Sequence, residues 1–233
     1  MIVITGASDG LGLELARLYQ ADGKTVVNLS RRKSAAADTN LLHDLGQADE
    51  VVMAAEEVLK LNEPLEALVN CAGVMTMEGL GEITPDELRR VMAINVDAAV
   101  LLTSALIKRI KQDGSDVVNV SSTLGVRGKV ENILYGTSKW ALRGLSANLQ
   151  VELQNYPCRV ISFCPGGFKT KIFEKVSGIN NDAEKGAMMS AADVAKCLKQ
   201  LLDLPKNMEV SEIIITRKKV TVQKTSTSIL KEE

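Results

Sequence analysis

Histidine is almost absent from this chain, and much catalytic chemistry is absent with it. His43 is the only one in 233 residues. A serine hydrolase would need it as its base, but Leu41-Leu42-His43-Asp44 reads as a strand end, so that role is not expected. The four cysteines, Cys71, Cys158, Cys164 and Cys197, form no C-x-x-C pair. A zinc site needs clustered ligands at characteristic spacing, so no metal is expected. Scattered thiols suit a reducing compartment, which makes a cytoplasmic location the expectation. An excess of either charge is lacking too: 28 Lys and Arg against 29 Asp and Glu leave a formal net charge of −1. Electrostatic binding to nucleic acid is therefore not favoured. No uninterrupted apolar run approaches the roughly 18 residues of a membrane span, so no membrane association is expected. Apolar Ile2 and a glycine turn from Thr5 also leave no room for the charged segment and apolar core of a signal peptide, and none is expected.

Apolar residues, by contrast, make up 45% of the chain, compatible at this length with one α/β domain around a well-buried core. Short apolar runs alternate with stretches of helical period. Strands are predicted at 2–5, 25–30, 41–43, 66–70, 116–121, 158–163 and 210–216, and helices at about 10–22, 47–61, 85–111, 134–155 and 191–203. Val117-Val118 and Ile213-Ile214-Ile215 are continuously apolar, as strands buried on both faces of a parallel sheet are. Thr84-Pro85-Asp86-Glu87 carries a helix start: threonine caps, proline takes the first turn, and Glu87 closes a capping box. Ser190-Ala191-Ala192-Asp193 starts the last helix in the same manner. The alternation predicts a doubly wound parallel sheet of about seven strands in a single domain over 1–219. The stretch from about Val220, with Lys224-Thr225-Ser226-Thr227-Ser228, is polar and aperiodic. It is set apart as a tail, expected to be disordered in preference to a partner-binding arm.

Two motifs carry chemistry. Thr5-Gly6-Ala7-Ser8-Asp9-Gly10-Leu11-Gly12 joins the run Ile2-Val3-Ile4 to a stretch with Leu11, Leu15 and Leu18 at helical spacing. Such a strand, glycine turn and helix N-terminus form an anion site, in which glycines admit a pyrophosphate to the backbone and helix N–H groups face its charge. Farther on, Tyr135 and Lys139 stand four residues apart, thirteen residues after Ser122. On a helix they share one face. An ammonium beside a phenol favours the phenolate and is expected to bring the tyrosine pKa, about 10 when free, toward the working range. Taken alone, either motif has a plain alternative, an ordinary glycine turn or a solvated surface pair.

With Asn70-Cys71-Ala72-Gly73, Asn95, Ser121-Ser122 and Pro165-Gly166, these motifs stand in the order found in the short-chain dehydrogenase/reductase family, which the chain closely resembles from residue 2 to about residue 216. The glycine spacing, Gly-x-x-x-Gly-x-Gly, differs from the common Gly-x-Gly-x-x-Gly fingerprint. The resemblance implies a Rossmann-like fold and hydride transfer between a nicotinamide cofactor and a small carbonyl or alcohol substrate. Carried to matching positions, it makes Ser122 the group that polarises the carbonyl oxygen and Tyr135 the general acid/base. Lys139 would bind the nicotinamide ribose and shift the Tyr135 pKa, and Asn95 would hold a water linking Lys139 to solvent. Of the adjacent serines, the family spacing selects Ser122, and alternation along a strand turns Ser121 the other way. Cofactor contacts are implied for Gly6, Ser8, Asp9, Gly10, Leu11 and Gly12 in the first loop and for Asp44 and Leu45 at the adenine. Asn70, Ala72 and Gly73 would lie over the crevice, and Pro165, Gly166, Phe168 and Thr170 around the nicotinamide, Thr170 on its carboxamide. Tyr135 and Lys139 touch the cofactor as well. Cys71 stands where the family more usually has a second asparagine.

Arg31 and Arg32 follow the second predicted strand in Asn28-Leu29-Ser30-Arg31-Arg32, where the adenosine ribose lies in a doubly wound fold. An acidic residue there would bind the 2′-hydroxyl of NAD, whereas arginine favours a 2′-phosphate. NADP(H) is therefore the expected cofactor, with Ser30 and Arg31 as phosphate contacts; a solvated basic cluster with Lys33 is the alternative. Only thirteen residues, Arg31 to His43, precede Asp44, so the helix that relatives place there should be shortened or lost. The stretch 171–189 is expected to form a lid, with Ile172, Phe173, Met188 and Met189 as lining or as plain packing. Trp140, Ala141 and Leu145 extend an apolar stripe beyond the catalytic pair, and relatives commonly associate through the helices at 85–111 and 134–155, so a homodimer or homotetramer is expected. A non-catalytic NADP(H)-binding sensor or scaffold should have lost the serine, tyrosine or lysine, and all three are present. A nucleotide-sugar epimerase would carry an added substrate domain, for which this sequence offers no stretch.

Overall fold

The computed structural model describes residues 1–170 and 188–218. Seven strands, β1 (Ile2–Thr5), β2 (Val26–Leu29), β3 (Thr39–Leu41), β4 (Ala67–Asn70), β5 (Asp116–Val120), β6 (Val160–Pro165) and β7 (Glu212–Ile215), form one parallel sheet. Its order is β3-β2-β1-β4-β5-β6-β7. Val3 pairs with Val27 on one side and Leu68 on the other, so the order reverses between β1 and β4. In a doubly wound sheet that reversal opens a crevice beyond the carboxyl ends of the strands.

Among the described residues, six helices flank the sheet: α1 (Gly10–Ala21), α2 (Ala48–Leu59), α3 (Pro85–Met92), α4 (Ala98–Asp113), α5 (Ile133–Leu153) and α6 (Ala191–Leu202). Alternate strand residues go to opposite faces. Val3, Val27, Leu29, Leu68 and Val117 pack in one core with residues of α2, α4 and α5. Ile2, Ile4, Val69, Val118 and Phe163 pack in a second with residues of α1 and α6. Both faces are dry over β1, β2, β4, β5 and β6, which is why those strands read as apolar runs. β7, expected to be buried on both faces, is instead an edge strand with Ile214 46% exposed. Helix starts follow the expected caps, but Glu87 does not close the expected capping box: its carboxylate accepts from Arg90 at 2.8 and 2.6 Å instead. The Thr84 hydroxyl accepts from the Glu87 N–H at 3.2 Å, and Pro85 opens α3. The Ser190 hydroxyl accepts from the Asp193 N–H at 3.0 Å at the head of α6. Gly114, at φ 66°, ends α4 in the left-handed conformation that glycine adopts without strain.

Two further expectations need correction. The stretch predicted as one helix over 85–111 is α3 and α4 joined by a π-helical turn, Ala93–Asp97, whose wider ring inserts one residue into the ladder. The combined run Pro85–Asp113 is long and apolar enough to cross a membrane by length and composition, although no uninterrupted apolar run in it is that long. Here its inward stripe, Leu102, Leu106 and Ile110, is fully buried against the sheet. The third strand lies at Thr39–Leu41 instead of 41–43. Side-chain bonds set that register: Asn40 Oδ1 accepts from Asn28 Nδ2 at 2.8 Å and from the Ser34 N–H at 2.7 Å. Leu42 is left exposed, and His43 falls beyond the strand with its Nε2 3.2 Å from Glu57. No helix intervenes between β2 and β3, as the short spacing required.

Among the described residues, no three His, Cys, Asp or Glu side chains gather as a metal site would need. The polar tail from Val220 lies outside the described residues, as do Ile172 and Phe173 and the stretch 171–187 of the expected lid.

Candidate active site

The first loop is built on glycine for steric reasons. Gly6 lies at φ 74°, and a Cβ there would stand 3.1 Å from Ala72 Cα. A Cβ on Gly12 would come within 2.6 Å of the Gly6 carbonyl oxygen, so no side chain fits. Gly10 lies at φ 53° with Thr170 against it, a Cβ position 3.3 Å from the threonine methyl. Asp9 caps α1, its carboxylate accepting from the Gly10 N–H at 2.9 Å. The ends of β1 and β4 are tied by Thr5, whose hydroxyl accepts from the N–H groups of Cys71 and Ala72, both at 2.9 Å. The sequence reading gave Thr5 no such role. Ser8 lies half-buried in the same loop.

Not every expected contact presents its side chain. Leu11 and Leu45 are buried in the two cores, so only their backbone is open to a ligand. The Asn70 amide donates to Asn119 Oδ1 at 2.8 Å and to Thr103 Oγ1 at 3.2 Å, within a buried polar layer between sheet and helices. At the end of β2, Ser30 Oγ donates to the Arg32 carbonyl at 2.6 Å. Arg31 lies 3.8 Å from Asp44, and Arg32 lies 3.3 Å from Asp9. Both guanidiniums are exposed; Arg32 stands beside the first loop and Arg31 beside Asp44.

The catalytic residues expected from the sequence come together. Asn95 is presented by the π-helical turn and is buried. Its Oδ1 accepts from the Val74 N–H at 2.7 Å, while Nδ2 donates to the Val74 carbonyl and to Ser138 Oγ, both at 2.9 Å. Both amide donors are thus committed, and a water held here would need a carbonyl oxygen of this residue. Ser138 in turn donates to the Tyr135 carbonyl at 2.7 Å. Ser121 Oγ donates to the Lys139 carbonyl at 2.8 Å, fastening β5 to α5. Gly125 is pressed into the same contact, where a Cβ would stand 2.5 Å from Ser121 Oγ and 2.7 Å from the Lys139 oxygen. Ser122, nearly buried, accepts from the Leu124 N–H at 3.1 Å. Lys139 Nζ sits 5.5 Å from the centre of the Tyr135 ring and close to Gly73.

The electrostatics differ from the expectation. Lys139 donates to the Val120 carbonyl at 2.9 Å, and burial lowers its pKa to about 8. Burial pushes the Tyr135 phenol up to about 12, against the pull of hydrogen bonding to Ser122. Loss of water favours the neutral form of each group, and it outweighs the lowering of the Tyr135 pKa that the ammonium was expected to cause.

Beyond β6, the Gly166 N–H donates to the Ile215 carbonyl at 2.7 Å, and Phe168 pairs with Met189 in a parallel bridge. Phe168 and Met189 pack against the α1/α6 core, which makes Met189 packing more than lining. Arg143, which the sequence reading passed over, holds Glu212 through two bonds of 2.6 and 2.9 Å and the Gly125 carbonyl through a third of 2.7 Å. It clamps the turn after Ser122 to the edge strand. No spacing rule marks such a contact between distant segments.

A family model described as short chain dehydrogenase matches residues 1–180. The chain belongs to that family. This short chain dehydrogenase is 27% identical over 220 residues to carbonyl reductase family member 4 of Danio rerio, covering 88% of this chain and 92% of the relative. A solved short-chain dehydrogenase/reductase from Vibrio parahaemolyticus is 30% identical, with a TM-score of 0.79 over 94% of this chain and all of the other. An alcohol dehydrogenase from the archaeon Thermococcus sibiricus, complexed with 5-hydroxy-NADP, superposes with a TM-score of 0.83 at 22% identity, covering 94% and 98% of the two chains. The short chain dehydrogenase described here is an oxidoreductase of the nicotinamide-dependent kind.

Proposed function

We propose that this enzyme uses NADP(H) to transfer a hydride between the nicotinamide and a small carbonyl or alcohol substrate, with Tyr135 as general acid/base. The observation that carries the reading is the meeting of Ser122, Tyr135 and Lys139 beside the crevice. The crevice suits a dinucleotide: at Gly12 and Gly6 the chain leaves no space for a Cβ, and a helix N-terminus stands behind them. Gly6, Gly10, Gly12, Ala72 and Gly73 would hold the pyrophosphate and ribose side, and Pro165, Gly166 and Thr170 the nicotinamide side. Ser30, Arg31 and Arg32 would take the 2′-phosphate, displacing the contacts with Asp44 and Asp9. The bound nicotinamide supplies or accepts the hydride.

The chain's own groups handle the proton. Ser122 Oγ donates to the carbonyl oxygen and orients it. Tyr135, with its pKa raised to about 12, keeps its proton at neutral pH and can deliver it to that oxygen. Lys139, at about 8, is charged at neutral pH and stabilises the phenolate left behind. A small-molecule substrate, a homo-oligomeric assembly and a reducing, cytoplasmic setting complete the proposal.

Tyr135→Phe keeps the ring and removes the proton. NADPH binding should persist while kcat falls about 10²–10⁴-fold. A variant that keeps more than half its kcat would remove Tyr135 from the mechanism. A wild-type protein that binds NADPH yet reduces no carbonyl compound would be a sensor instead.

A further inference from the structure

Ten arginines occur in the chain. Eight of them, Arg17, Arg31, Arg32, Arg89, Arg90, Arg109, Arg143 and Arg159, have a carboxylate within ion-pair distance. Arg127 and Arg217 have none among the described residues, and the two line the same cleft. That cleft, of about 170 Å³, is completed by Thr123, Gly166, Gly167 and Thr216. Its place in the fold is specific. Thr123 follows Ser122, Gly166 follows Pro165 at the end of β6, and Thr216 follows the last residue of β7. The Arg217 guanidinium lies over Gly167, its Cζ 4.0 Å from where a Cβ would stand, and Thr123 Cγ2 lies 3.6 Å from the corresponding point on Gly166. Two small residues thus keep the floor low beneath two cations.

We infer that this cleft binds an anionic oxyacid group, carboxylate or phosphate, on the carbonyl substrate, so that the enzyme prefers oxo acids or oxo phosphates to neutral aldehydes and ketones. This rests on the oxidoreductase reading above and names the substrate class for it. Two planar guanidiniums match the paired oxygens of an oxyanion, and the threonine hydroxyls supply further donors. Thr123 lines the cleft and directly follows Ser122, so on this inference one short substrate spans cleft and serine. A neutral substrate of the same length would leave both cations without a counter-ion.

The test uses matched pairs with NADPH: butanal against 4-oxobutanoate, butanone against 3-oxobutanoate, and dihydroxyacetone against its phosphate. The anionic member of at least one pair should show a kcat/KM roughly 10- to 100-fold higher, the size of one charge-assisted contact. The advantage should shrink as salt is added. The pair that shows it separates carboxylate from phosphate recognition. Arg127→Gln and Arg217→Gln should each lower the anionic member by roughly 10-fold or more relative to its neutral partner, mainly through KM. Equal losses for both members, or no anionic advantage in any pair, would overturn the inference.

A binding arm separates this from failure of the catalytic reading. Calorimetric titration of the cofactor-saturated protein with pentanedioate and with inorganic phosphate needs no turnover. Binding of either that both variants abolish would support the cleft even if no carbonyl compound were reduced. If every substrate fails and neither anion binds, or binding survives in the variants, the cleft is not an anion site.

Discussion

Lys139 shows how far function can set a residue against stability. Its unfolded-state pKa is near 10.4, whereas burial brings it to about 8 in the fold. Between those values the unfolded chain holds a proton that the folded chain lacks, so this residue makes stability rise with pH across the window. Below about pH 8 both states are protonated and the fold carries the whole cost of a buried ammonium. Lys139→Met should therefore lose activity and also flatten the climb of Tm from pH 8 to 10 relative to wild type. Parallel Tm curves would show that Lys139 does not titrate in that range. Gly125 makes a second test, because a Cβ there meets a hydroxyl and a backbone oxygen at once. Gly125→Ala should cost about 1–3 kcal/mol in denaturant unfolding and lower kcat by moving Lys139. At this scale the sequence was legible where spacing encodes a shared face, as for Tyr135 and Lys139. It was silent where a contact joins segments far apart, as with Thr5 under the Cys71 and Ala72 amides or Arg143 across to Glu212 and Gly125. The direction of the Tyr135 shift was also hidden, since burial decides it and four-residue spacing reports only proximity.

Among the elements, continuous apolar runs located β1, β4, β5 and β6 because both faces of those strands are dry. β3 has only Thr39, Asn40 and Leu41, and its register is set by the Asn28–Asn40 pair, so hydrophobicity pointed two residues too far. The π-helical turn was equally hidden. Ala93–Asp97 has ordinary helical composition, and only the demand to turn Asn95 toward Val74 and Ser138 distinguishes it. The end of β2 carries a testable consequence. Arg31→Ala should weaken NADPH binding about 10- to 100-fold while changing NADH far less. Equal losses for the two cofactors would assign Arg31 to structure, through its contact with Asp44.

At the scale of the whole molecule, the helices over the α4/α5 face leave apolar surface outside. Val100 and Trp140 are 40% and 49% exposed, and Ile133 and Val151 are exposed as well, whereas Leu145 turns in against the core. Large apolar side chains gathered on one face fit burial against a second copy. A homodimer through α4 and α5 is the expected state, and Val100→Glu with Trp140→Glu should shift sedimentation toward a single 25.1 kDa species. Wild-type protein that sediments only as that species at micromolar concentration would defeat the proposal. The fold class itself was readable because alternation of strand and helix admits few topologies. The same strand order bears on how the chain is made. β2 and β3 add outward on one side of β1, and β4 to β7 then add outward on the other. No strand has to be inserted between two that are already paired. A chain emerging from the ribosome can therefore assemble its sheet in the direction of synthesis, with its longest wait while the second edge of β1 stands open until Ala67 arrives, and shorter ones at β4, β5 and β6.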